Sequence, residues 1–313
     1  MSQTTTELTS IPIAAPRQRR RQLSDARIMQ LFILPTMIVL ILMNIFPLIY
    51  SLFLSFTNYS VINPDVAPEW VGIQNYQNIL SDERFWHHFA ITGRYALISV
   101  ALQTLIGFGL ALLLRQKFKG SGLVTTLLLV PMMLSPIVVA TFWKLIFNPS
   151  TGIFNYLLGY TNINTSPQWL GDPNLAMWAI IIVDVWMWSP FVMLLCLAGL
   201  SAIPEYLYEA AAIDRASAWF QFRRITLPQV MPLLLIAVLF RTIEAFKQFD
   251  LAIGLTGGGP GDATEVVSIR LYKLAFQGQF DTGTSSALAY IILIVIIAVS
   301  NLYIRSLNKA RGG

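Results

Sequence analysis

Charge is what this sequence has least of: only 12% of its 313 residues are Asp, Glu, Lys or Arg, while 55% are hydrophobic. An ordinary soluble domain carries roughly 25% charged residues, so the composition excludes that class and places the chain in a bilayer. Cysteine is nearly absent as well. Cys196 stands alone inside an apolar run, which excludes an internal disulfide and reads as a small buried hydrophobe. With only His87 and His88 besides it, no Cys/His cluster exists, and no metal site is expected. No glycine run is followed by Lys-Ser or Lys-Thr, so there is no Walker motif. Lacking also a nucleophile–base set and a cofactor loop, the chain is not expected to be an enzyme. Internal repeats and the inverted halves of many secondary transporters are missing too. The net charge of +5 comes from short basic blocks between apolar runs rather than from one basic face, so nucleic acid is not an expected partner.

What is present is a series of apolar runs. A helix needs about 20 apolar residues to cross a hydrocarbon core of about 30 Å, at about 1.5 Å per residue. Six stretches qualify: 28–56, the interval between Arg94 and Arg115, the interval between Lys119 and Lys144, 175–199, 229–253 and 284–304. The expected fold is therefore an all-α integral membrane protein with about six transmembrane helices. The polar leading residues and the length of the first run argue against a cleaved signal peptide.

Basic residues gather on alternate sides of these spans. Arg17, Arg19, Arg20, Arg21 and Arg27 precede the first, and Arg115, Lys117 and Lys119 follow the second. Arg215, Arg223 and Arg224 follow the fourth, and Arg305, Lys309 and Arg311 follow the sixth. By the positive-inside rule this side is the cytoplasm, which puts both termini there. The other loops carry Asp65, Glu69, Asp82, Glu83, Asp172, Asp262, Glu265 and Asp281 and face outward. Trp70, Trp86, Trp143 and Trp169 fit an interfacial belt, and His87 and His88 a solvated rim. The expected organisation is a basic, disordered tail over 1–27, a first helix and outer loop over 28–88, a five-helix core over 89–304 containing a structured loop at 200–228, and a cytoplasmic tail over 305–313.

That loop is the most specific feature. It reads Ile203-Pro204-Glu205-Tyr206-Leu207-Tyr208-Glu209-Ala210-Ala211-Ala212-Ile213-Asp214-Arg215-Ala216-Ser217 and ends in Ile225-Thr226-Leu227-Pro228. Glu205 and Glu209 open an Ala-rich stretch, where carboxylates favour the positive end of a helix dipole, and Pro228 is expected to stop a second helix before the next span. The reading is two short helices joined near Asp214, with small alanine faces and Trp219, Phe220 and Phe222 as apolar anchors for a partner.

The stretch resembles the EAA loop of the permease subunits of bacterial ABC importers: Glu-Ala-Ala, then Asp-Gly-Ala, then Ile-x-Leu-Pro. The resemblance implies the type I importer permease fold and an inner-membrane location. It also implies that Glu209, Ala210, Ala211, Asp214, Arg215 and Ala216 couple the chain to an ATPase. Arg215 stands where that family has Gly, which leaves the geometry of the turn open. Leu255-Thr256-Gly257-Gly258-Gly259-Pro260 and Trp70-Val71-Gly72-Ile73-Gln74-Asn75-Tyr76 resemble segments of the carbohydrate group of these permeases, similar to the maltose and glycerol-phosphate types. The partners so implied are a second permease subunit, two ATPase subunits that bind ATP and Mg, an extracytoplasmic solute-binding protein and the membrane lipid. The chain itself is expected to hold no cofactor.

Ionisable groups inside spans are costly and mark functional positions. Asp184 and Arg241 both fall about 20 Å from the cytoplasmic ends of their spans at about 1.5 Å per residue. Asp184, Met187, Trp188 and Phe191 share one face of the fourth span by spacing, and Arg241, Glu244 and Gln248 share one face of the fifth. Facing stripes of this kind predict a substrate pathway, to which the resemblance to the maltose permease adds Met132. Two other readings remain at this point: an Arg241–Glu244 pair that merely holds helices together, and a proton-coupled secondary transporter using Asp184 or Glu244.

Overall fold

The computed structural model of the protein describes residues 25–62, 65–116, 118–159, 167–278 and 280–312, with the side chains of 29–308 among them. Residues 1–24 of the expected disordered tail, with Arg17 to Arg21, lie outside these residues, as does Lys117, whereas its last three residues, Asp25 to Arg27, are helical rather than disordered. Helices make up the described chain, and its only strand-like features there are two isolated bridge pairs, Thr57 with Trp70 and Ser60 with Asp281. The chain divides into two compact units, residues 1–51 and 52–313.

In chain order the helices are α1 (Met29–Leu54), which contains a π turn at Ile41–Ile45, α2 (Gln74–Ser81), α3 (Glu83–Leu114), α4 (Ser121–Met133), α5 (Pro136–Ile146), α6 (Ile153–Gly159) and α7 (Pro173–Ser201). They continue with α8 (Tyr206–Ile213), α9 (Ala218–Phe246), α10 (Asp250–Leu255), α11 (Val267–Phe276) and α12 (Thr282–Gly312). Five of these, α1, α3, α7, α9 and α12, are long and apolar enough to span a membrane.

The third expected span is not one straight helix. It is α4 and α5, bent by 98° at Leu134–Ser135. Prolines cause the break. Pro136 pushes the residue before it out of the helical region, and Leu134 and Ser135 are both extended, while Pro131 closes α4 in a short 3₁₀ turn. The fifth expected span also differs. Its helix starts early, at Ala218, and stops at Phe246, where the Ser268 hydroxyl donates to the freed Phe246 carbonyl. The apolar run onward to Ile253 belongs mostly to the separate α10.

Pro228 does not stop a helix either. A π turn at Phe222–Thr226 precedes it, so the chain passes from loop to membrane helix without the i→i−4 bond that a proline cannot make.

Lipid tails are as apolar as leucine, so these helices associate by close packing rather than by a hydrophobic drive. The most extensive contact is between α3 and α7, with α9 packed on both. Gly107 permits it, because a Cβ there would lie 2.6 Å from the Ser189 carbonyl oxygen. Gly254 does the same for α10 against α5, where a Cβ would approach that of Ala140 to 2.6 Å. Cys196 is buried in the α3–α7–α9 core, as its surroundings in sequence require. Of the belt tryptophans, Trp70 and Trp86 are exposed, but Trp143 and Trp169 pack with Phe147 and Phe154 in an aromatic cluster. His88 departs from the expected rim position: it is buried, with Nε2 3.7 Å from Glu265, while His87 stays exposed beside Asp262.

Candidate functional site

The loop between α7 and α9 forms as α8, a turn, and the first part of α9. Glu205 occupies the N-cap position of α8 and Glu209 its first turn. At the other end the Ala216 N–H donates to the Ala211 carbonyl (2.9 Å) and the Arg215 N–H to that of Ala212 (3.1 Å). This is the Schellman pattern, in which the residue after the cap is left-handed and is usually Gly. Arg215 is that residue, at φ 55°. Arg215, in the place of the family's Gly, thus adopts the left-handed conformation itself, at a cost of about 1–2 kcal/mol for a residue with a Cβ.

Glu209, Ala210, Asp214 and Arg215 are exposed, Ala216 is half-buried and Ala211 is packed inward. Beside them Tyr206, Ile213, Trp219 and Phe220 project apolar surface, with Ile213 82% exposed. The inner side of the loop is tied down. The Tyr208 hydroxyl meets that of Thr226 at 2.9 Å, and the Arg115 guanidinium at the end of α3 lies 4.1 Å over the Tyr208 ring. Trp219 stacks on Phe222, which meets Phe108 of α3. These contacts join the inner side of the loop to α3 and α9.

Deep in the bundle, Asp184 and Arg241 come together as their equal depth in sequence predicts, with Arg241 Nη2 3.4 Å from Asp184 Oδ1. Gln103 of α3 joins them: its Nε2 donates to Asp184 Oδ2 at 2.7 Å, and its Oε1 accepts from Arg241 Nε at 2.8 Å. The Arg241 guanidinium also lies 4.5 Å over the Trp188 ring. Asp184, Gln103 and Arg241 are all buried, so their polar groups are spent on one another and bind three helices together. The hydroxyls of Ser99 and Tyr95, one and two turns before Gln103 on α3, are buried beside the Asp184 carboxylate.

The other predicted pathway residues are elsewhere. Glu244 is exposed and pairs with Lys247 at 3.0 Å, not with Arg241. Gln248 follows the end of α9, so it leaves the face shared by Arg241 and Glu244; it is half-buried, as are Trp188 and Phe191. Met187 is buried, and Met132 is half-buried in the 3₁₀ turn at the α4–α5 bend. An apolar groove of about 800 Å³ runs between α3, α4 and α7, lined by Trp178, Trp186 and Pro131 among others and by none of the predicted charged residues.

Four residues of these networks were missed in sequence: Gln103, Arg115, Tyr208 and Thr226. For Gln103 a signal exists, since Tyr95, Ser99, Gln103, Gly107 and Ala111 recur at a spacing of four and mark one polar or small face of α3. Among the described residues no group of His, Cys, Asp and Glu could hold a metal ion.

Residues 103–312 match the family described as binding-protein-dependent transport system inner membrane component. The chain is similar to the trehalose/maltose transport system permease protein MalF of Thermococcus litoralis, with 37% identity over 281 residues, 90% of this chain and 94% of that protein. It is also similar to the trehalose transport system permease protein SugA of Mycobacterium tuberculosis, with 32% identity over 292 residues, 93% and 92% of the two chains. The fold is similar to that of a chain in the crystal structure of a bacterial alginate ABC transporter in complex with alginate pentasaccharide-bound periplasmic protein. That likeness has a TM-score of 0.77 at 22% identity and covers 88% of this chain and 92% of the other.

Proposed function

Because this chain belongs to the family of inner membrane components of binding-protein-dependent transport systems, we propose that it is the permease subunit of an ATP-driven importer for a neutral oligosaccharide of the trehalose or maltose kind. The observation that carries the reading is the α8 loop, an exposed acidic and alanine surface with projecting apolar anchors, lashed from within to two membrane helices. The partners are a second permease subunit, two ATPase subunits and an extracytoplasmic solute-binding protein. ATP and Mg²⁺ belong to the ATPase subunits, and this chain performs no covalent chemistry. Closure of the ATPase pair moves Glu209 to Ala216 as a lever, and α3 and α9 transmit the motion to the membrane interior, exchanging outward and inward access.

The solute path runs along the faces of α7 and α9 that carry Trp188, Phe191 and Glu244 and past Gln248 beyond the end of α9, with Met132 at the α4–α5 bend. Asp184, Met187 and Arg241 hold these faces from behind. A neutral solute is favoured because Arg241 is already neutralised by Asp184 and Glu244 by Lys247, which leaves no unpaired charge from the predicted set to select an anion. Aromatic rings at Trp188 and Phe191 suit the C–H faces of a sugar.

The test is uptake of labelled trehalose, maltose and an acidic sugar into proteoliposomes holding the assembled transporter. Uptake of a neutral sugar that needs enclosed ATP and ignores a protonophore is expected. Uptake that persists without ATP and collapses with the protonophore would overturn the proposal in favour of proton coupling through Asp184 or Glu244.

A further inference from the structure

At the end of α3 remote from the α8 loop, a pocket of about 340 Å³ is lined by Arg84, Arg270, Lys273, Leu274, Gln277 and Gly278. Three cations line one small concavity on a side of the protein where basic residues are scarce. Only Lys273 has a carboxylate partner there, the buried Glu265, which His88 also approaches. Among the described residues Arg84 and Arg270 have no carboxylate within ion-pair distance. Asp82, two residues before Arg84, accepts from the Arg84 backbone N–H as the cap of α3, and Glu83, next to Arg84, is in the first turn of that helix. Although Asp82 lines the adjoining cavity with Arg270, the pocket holds two guanidinium groups with no direct ion pair among the described residues, whose planar donor forks match phosphate and carboxylate oxygens.

Depth indicates which anion. Arg84 and Arg115 lie 31 positions apart on one helix, about 46 Å at about 1.5 Å per residue, and a bilayer with its headgroups is about 40–45 Å thick. With Arg115 at one interface, Arg84 stands in the headgroup layer of the other. Trp86 supports this placement: it is 51% exposed, with its indole N–H held by the Leu80 carbonyl at 2.8 Å. Phe276, on the same helix as Arg270 and Lys273, is also exposed.

We infer that this pocket binds the phosphodiester oxyanion of an anionic phospholipid headgroup, gripped by Arg84 and Arg270 with Lys273 and Gln277 at its edge. Bound lipid then fixes α11 to the outer end of α3. The inference rests on the membrane placement of the chain and not on the identity of the transported solute.

The test uses the full-length protein in nanodiscs of phosphatidylcholine with and without phosphatidylglycerol, with retained lipid counted by native mass spectrometry. Lys273 is left intact because it also neutralises Glu265. The R84Q/R270Q protein is expected to bind phosphatidylglycerol about 30-fold more weakly, at the usual strength of one surface cation per anionic headgroup. R270K is expected to keep most of the binding. Should the double variant fail to fold, R84Q alone, at an exposed side chain, is expected to show a loss of about fivefold. Inorganic phosphate that displaces the lipid at equal concentration would identify a free-anion site instead. Unchanged phosphatidylglycerol retention in the variants would overturn the inference. So would an effect seen only on docking of an acidic protein in lipid-free detergent.

Discussion

Replacing Gln103 by Leu, nearly the same shape, removes two buried hydrogen bonds at once, one to the Asp184 carboxylate at 2.7 Å and one from the Arg241 guanidinium at 2.8 Å. Hydrogen bonds between membrane helices average only about 0.6 kcal/mol, because the unfolded chain in lipid also finds partners. Bonds to ionised groups are worth about 1.5–3 kcal/mol each, and both of these end on a charge. The expected loss for Q103L is therefore about 3–6 kcal/mol. D184N leaves Arg241 buried without its counter-charge and is expected to cost a similar amount, about 3–5 kcal/mol. D184N/R241Q removes both charges, so its cost should fall short of the summed single losses by about 2 kcal/mol or more. Denaturant unfolding of the detergent-solubilised protein, followed by tryptophan fluorescence, gives all four values. A Q103L loss below about 1 kcal/mol, or additive D184N and R241Q losses, would refute the claim that these residues act as one charged lock across α3, α7 and α9.

Three further outcomes are expected. R215G should leave the α8 turn intact and raise stability by about 0.5–1 kcal/mol, the relief of the left-handed strain less the extra freedom of glycine when unfolded. R215V should lower stability, and equal melting of the two variants would contradict the Schellman assignment. G107V, whose side chain would enter the 2.6 Å gap to the Ser189 carbonyl, should force α3 from α7 at a cost of about 1–3 kcal/mol or more, visible as lowered melting and poor membrane yield. Y208F keeps the ring under Arg115 and loses only the Thr226 contact, so transport should fall slightly. Y208A loses both tethers and should leave ATP hydrolysis running with little uptake.

The spans were legible because a bilayer imposes a length on every apolar run, and 28–56 and 175–199 reappear as α1 and α7 within a few residues. The α4–α5 bend was written in Pro131 and Pro136, but the apolar character of the run carries straight through it. The end of α9 at Phe246 was harder to read, since Phe249 to Leu255 is as apolar as the helix before it, and the Ser268 contact that closes the end comes from a distant segment.

Asp184 and Arg241 could be paired from depth alone, because charges in a membrane have few places to go. Their neutral bridge could not: an amide in an apolar helix attracts less notice than a charge, and only the four-residue spacing on α3 betrays Gln103. The alternative reading of an Arg241–Glu244 pair failed for a related reason. Spacing of three puts both on one side of α9, yet Arg241 turns inward to Asp184 and Glu244 finds Lys247 at the exposed end. His88 was misread because its burial depends on Glu265, which arrives from a loop far along the chain.

The most direct test of the central claim is ATP-driven sugar uptake by the assembled transporter in proteoliposomes, comparing the wild-type chain with E209K. Glu209 is exposed and bonded to no other side chain among the described residues, so the reversal of charge should spare folding and assembly. The account predicts a complex that assembles, binds ATP and has lost sugar uptake. Full uptake by an assembled E209K transporter would contradict it.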